Sequence, residues 1–172
     1  MSALHASVLS AFKSMGWAYH PVPDQEVLEA AFEAHHGKIP LHVQSFDSAG
    51  MINIVSTASF PCPATHRLSV CELLMRTNKE LTLGNFELEW DSGQILFRVT
   101  NVFPSHRYDQ KVIAGLVHNA IAEMDRLTPF LGEVCKTPAG ELMLLRVPEL
   151  LQREDLLPPP LDVDDDEDEQ LP

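Results

Sequence analysis

Residues 71–99, CELLMRTNKELTLGNFELEWDSGQILFRV, decide the fold of this 172-residue chain. Leu68, Cys71, Leu74 and Met75 recur at helical spacing, which predicts an amphipathic helix over about 64–79. Gly84 follows the helix and is read as supplying a backbone angle that other residues avoid. Phe86, Leu88 and Trp90 then alternate with Glu87 and Glu89. Ile95, Phe97 and Val99 alternate with Leu96, Arg98 and Thr100. Asp91-Ser92-Gly93 separates the two runs, so 83–90 and 94–102 are read as an antiparallel hairpin. No acid, base and nucleophile come together in this stretch. It points to a protein that works through its surface.

Upstream, Ser2 can cap a helix on which Leu4, Val8, Phe12 and Met15 share a face, and Gly16 is placed to end it. Trp17 to Pro23 is read as a connector. In 27–35, Leu28, Ala30, Phe32 and Ala34 alternate with outward residues, the pattern of a half-buried strand. His36-Gly37 is read as a turn. A second strand, 39–46, points Ile39, Leu41 and Val43 inward, and its Pro40 demands an edge or a strand start. The third strand, 51–57, carries Met51, Ile52, Ile54 and Val55 and is apolar on both faces. Such a strand is either covered twice or part of an interface. Ile113, Leu116, Val117, Ala120, Met124 and Leu127 place a long helix over about 107–131. The class is α+β, helix-β-β-β-helix-β-β-helix with a mainly antiparallel twisted sheet. The expected organisation is one domain over 1–136, a short helical extension over 137–156, and a disordered Pro-rich and acidic tail over 157–172.

The formal net charge of -13 argues against free nucleic acid as a partner, because phosphate binding needs a Lys/Arg surface. Seven acids lie in 162–169, DVDDDEDE, yet the rest of the chain still has more acids than bases. That run lacks the glycine and the closing glutamate of a calcium loop and is read as a solvated segment. No window reaches the ~18–20 apolar residues of a membrane span. The N-terminus lacks the basic region of a signal peptide. Cys62, Cys71 and Cys135 are odd in number and widely spaced, so they form no disulfide framework. Reduced thiols in a cytoplasmic protein are expected.

No Gly-rich phosphate loop is present and no cofactor is expected. Cys71 is read as a packed thiol, and Cys62, between prolines, has nothing nearby to activate it. Asn78 is read as satisfying backbone groups at the helix-to-strand turn. Arg98 is read as pairing with Glu87 or Glu89 across the hairpin, with a partner carboxylate as the alternative. His35 and His36, with His42 opposite, suggest a metal-responsive sensor. Adjacent strand residues point to opposite faces, however, which works against one shared ion.

Leu73, Leu74, Asn78, Leu83, Gly84, Phe86, Leu88, Asp91, Gly93, Phe97 and Arg98 form a spaced pattern that resembles the YbjN family, whose label places it among bacterial sensory transduction regulators. The resemblance covers roughly 3–131. That family is similar in fold to class I type III secretion chaperones, small acidic proteins that are usually homodimers and hold an unfolded client segment. The resemblance therefore implies a non-enzymatic protein- or peptide-binding module, homodimeric, with a protein client. It carries over no binding residues. The residues themselves nominate Met51, Ile52, Ile54, Val55 and Met75 as contacts, since flexible Met-rich apolar surface adapts to partners. Ordinary core burial is the competing explanation for each. The alternative function is a small-molecule or metal-responsive sensor.

Overall fold

The computed structural model describes residues 1–104 and 107–157. The expected disordered tail, apart from Leu157, lies outside the described residues. In chain order the elements are α1 (Ala3–Ser14), β1 (His20–Pro21), β2 (Val27–Ala34), β3 (Gly37–Phe46), β4 (Met51–Thr57), α2 (Arg67–Glu80), β5 (Asn85–Leu88), β6 (Ile95–Val102), α3 (Gln110–Lys136) and α4 (Val147–Leu150). The strands form one antiparallel sheet in the order β1-β2-β3-β4-β6-β5. The α+β class and antiparallel sheet expected from the alternating runs are what the structure shows. The two-residue β1 was not anticipated, because it contains Pro21, with Pro23 close behind, and its alternation is too short to read.

Pro40 illustrates how register accommodates an awkward residue. Ala34 pairs with Gly37 across a two-residue turn, and alternation from there makes Ala31 and Pro40 a pair without mutual hydrogen bonds. The missing N–H of Pro40 therefore points away from β2. On that side the pairing with β4 begins only at Leu41. Pro40 sits inside the sheet order yet breaks no ladder bond.

The core lies on one side of the sheet. Leu28, Leu41, Val43, Ile52, Ile54, Ile95, Phe97 and Val99 are all buried there with Leu4, Val8 and Phe12 of α1 and Ile113, Val117, Ala120, Met124 and Leu127 of α3. Ser56 sits in this apolar layer because its hydroxyl donates to the Ala120 carbonyl at 2.7 Å. α2 packs on β5 and α3 and joins the same core. Its buried residues are Val70, Leu73, Leu74 and Thr77. The predicted stripe was rotated: Leu68 and Met75 are 77% and 68% exposed. Both stripes satisfy a 3.6-residue period, so spacing could not choose between them. Residues 137–156 carry the short helix α4, whose Val147 and Leu150 are buried in the main core. Met15, expected inside, is the exposed C-cap of α1.

The start of α1 is closed by side chains. Ser2 Oγ accepts from His5 N at 3.1 Å, Asp47 Oδ1 from Leu4 N at 3.0 Å, and Glu26 Oε1 from Ser2 N at 2.6 Å. Two carboxylates thus meet the positive end of the helix dipole, and they tie it to the sheet. α3 begins three residues later than expected, where Asp109 caps it by accepting from Lys111 N at 2.8 Å. It then runs past the expected end, through Pro129, to Lys136.

Candidate functional site: the helix-free face of the sheet

Among the described residues every α-helix joins one core, and the alternate residues of each strand form a second face. Val27 and Val55 are buried residues that do not belong to the core, which marks them as parts of that face. Register lines it up in rows. Glu29, His42, Val55 and Arg98 form one; Val27, Gln44, Asn53 and Thr100 a second; Phe46, Met51 and Val102 a third. The third row is apolar, and Val102 at its end is 60% exposed. In the second, Thr100 Oγ1 donates to Asn53 Oδ1 at 3.2 Å. In the first, Arg98 donates Nε to Glu87 Oε1 at 2.8 Å and Nη2 to Glu87 Oε2 at 3.0 Å. The guanidinium holds the Glu87 carboxyl below its ordinary range. Of the two partners foreseen for Arg98, Glu87 is the one it takes. Glu89 instead accepts from Asp91 N and Ser92 N at 3.3 and 2.6 Å and closes the turn.

The two sheet edges differ. On β5, both outward backbone groups of Phe86 are taken by one side chain. Asn78 Oδ1 accepts from Phe86 N at 2.7 Å and Asn78 Nδ2 donates to Phe86 O at 3.0 Å. The carboxamide imitates a neighbouring strand and blunts this edge. On the other side, β1 covers β2 only at Leu28 and Glu29. The backbone groups of Ala31 and Glu33 point outward beyond the end of β1, and among the described residues no strand pairs with them. Asn78→Ala leaves two peptide groups of Phe86 without partners and is expected to cost about 2 kcal/mol in urea unfolding. Asn78→Asp is expected to lose nearly as much, because its carboxylate faces the Phe86 carbonyl.

The five residues nominated by sequence separate in space. Ile52 and Ile54 are completely buried in the core beneath α1 and α3, so they are not on a free surface. Alternation in β4 sends Met51 and Val55 to the opposite face. Met75 lies away from that face, exposed on α2. Sequence reasoning missed Val102 and Phe46, whose signal was their register opposite Met51.

The histidines do not gather. His36 N donates to Asp125 Oδ1 at 2.7 Å and His36 Nδ1 bonds Asp125 O at 3.1 Å, while His42 sits in the first row of the open face. Among the described residues no group of three or more His, Cys, Asp or Glu is placed to hold a metal ion. Cys62 is buried between its prolines, and Cys71 is half-buried. Burial, with the Cys135 thiol beside it, pushes the Cys62 thiol up to about 12, and burial raises Cys135 too. Protonated, buried thiols are poor nucleophiles.

This fold, a one-sided antiparallel sheet with two long helices across it, is of the type III secretion chaperone kind. One solved structure, described as "Crystal Structure of the ExsC-ExsE Complex", matches with a TM-score of 0.58 at 7% identity, over 76% of this chain and 97% of that one. The family model described as "Putative bacterial sensory transduction regulator", YbjN, matches residues 5–133, and the chain belongs to this family. A second solved structure, "YbjN, a putative transcription regulator from E. coli", matches with a TM-score of 0.52 at 9% identity, over 76% of this chain and 87% of that one. No curated protein sequence matches this chain. Among the described residues, no helix is long and apolar enough to cross a membrane.

Proposed function

We propose that this chain is a non-catalytic, cytoplasmic, homodimeric regulator that holds an extended segment of a partner protein. The observation that carries the reading is the six-stranded sheet whose helices, among the described residues, lie on one face. Its other face offers the apolar row Phe46, Met51 and Val102, and its β2 edge can accept a strand at Ala31 and Glu33. The likeness in fold to a protein solved in complex with another supports it. The acidic balance of the chain favours basic segments as clients. Neither buried thiols nor the scattered histidines supply the oriented base and nucleophile that a reaction needs.

The test is affinity purification of the full chain from its own cells, beside a Met51→Asp/Val102→Asp variant, with light scattering on both. Expected are a particle of twice the chain mass and a partner protein retained by the wild type and lost by the variant at unchanged melting temperature. A wild-type monomer with no retained partner overturns the reading.

A further inference from the structure

α3 breaks the rules of helix composition twice within one turn. Pro129 and Gly132 lie inside it, and these are the two residue types that destabilise a helix interior most, by about 3 and about 1 kcal/mol relative to alanine. Three residues apart, they share a face, and that face lines a cavity of about 600 Å³. Such a volume is typical of small-molecule sites. A sequence that violates local preference twice at one place, facing one cavity, marks that place for function.

The surroundings are arranged around those two residues. Pro129 has no N–H, so the Asp125 carbonyl loses its helical donor. His36 takes it, with Nδ1 at 3.1 Å, while its backbone N–H donates to Asp125 Oδ1 at 2.7 Å. A carbonyl only accepts, so Nδ1 carries the proton and the ring is fixed in place at the cavity wall with Nε2 unspent. Gly132 has no side chain, and the Lys136 ammonium folds back over it, 4.0 Å from where a Cβ would stand. Phe60, Pro129 and Leu156 supply the apolar walls. The one carboxylate in the lining, Glu133, is taken by Arg153 at 2.7 Å. Among the described residues Lys136 forms no ion pair. The cavity thus offers an apolar body, a lysine ammonium that is in no ion pair among the described residues and one held imidazole.

We propose that this cavity is a binding site for a small carboxylic acid with an aryl or short alkyl body, its carboxylate on Lys136 beside His36 and its apolar part against Phe60, Pro129 and Leu156. The cavity shares no residue with the open sheet face. The site is independent of the partner-binding reading, and either can fail without the other.

The test uses the full chain and 3-phenylpropionate, followed by calorimetry and by ligand-observed NMR, with neutral 3-phenylpropanamide as the comparison. Saturable binding with a Kd of about 1 mM or tighter is expected for so small a ligand. The amide should bind at least 10-fold more weakly. Lys136→Met should bring the acid down to the amide's affinity. Gly132→Leu fills the cavity while removing a helix-interior glycine, so it should abolish binding and leave the melting temperature equal or higher, a combination that an unfolded variant cannot give. Absence of saturable binding overturns the proposal, as does equal affinity for acid and amide or unchanged binding in Gly132→Leu. A Phe-Glu hexapeptide that binds the wild type, where the free acid does not, would also overturn it.

Discussion

Gly93→Ala is expected to remove about 4 kcal/mol of stability, read as a lowered urea midpoint at unchanged slope. Two independent costs meet at this position. Gly93 has φ +77°, where an L side chain loses about 1–2 kcal/mol. Its missing side chain is also where the chain crosses itself, because a Cβ would lie inside contact with the Cys62 carbonyl oxygen and 3.3 Å from its carbon. Cys62 N donates to Gly93 O at 2.7 Å, and Gly93 N donates to Glu89 O at 2.9 Å, so the Cys62 segment is fastened directly across the β5–β6 turn. The obstructing atoms are backbone, and no rotamer change relieves them. Forced overpacking of this kind costs about 1–3 kcal/mol more. A measured loss near 1 kcal/mol would mean that the Cys62 segment slides aside and that only the dihedral penalty is real.

Phe97→Ala is expected to cost about 4 kcal/mol, the range for emptying a buried aromatic site. Phe97 is completely buried and meets Phe86 edge to face at 4.8 Å between ring centres. It also fixes the residue type at position 84. A Cβ on Gly84 would collide with the Phe97 ring at Cζ and stand 2.8 Å from the Arg98 carbonyl, at φ +80°. Gly84→Ala alone is expected to cost about 3 kcal/mol. In the Phe97→Ala background that cost should fall by about 1 kcal/mol, because the ring is gone while the dihedral and the Arg98 carbonyl remain. Additive losses would show that the ring yields easily and that Gly84 is required for its backbone angle alone.

These two glycines show how much of the fold was legible. Both were read from sequence as turn residues, which is a local property. Why they tolerate no methyl group was not legible, because Cys62 and Phe97 reach them through pairings that composition does not state. The candidate site divides in the same way. Alternation alone sends Met51 and Val55, two of the nominated residues of the apolar central strand, to the face opposite Ile52 and Ile54. The sequence could not say which of the two faces the helices would cover.

Local pattern by itself determined α1, α2, α3, strands β2 to β4, the β5–β6 hairpin and the place of Asn78 at the helix-to-strand turn, since each depends on groups only a few residues apart. The Glu87–Arg98 pair follows from the same hairpin. The tertiary structure alone decided which stripe of α2 is buried, because two stripes share one period and only the shape of the facing core selects between them. It alone explains Pro129: a proline inside a helix reads as a stop unless another segment supplies a donor for the freed carbonyl. Here that donor is His36, 89 residues away in sequence. Contacts over such separations depend on how the elements pack, and no local pattern records them.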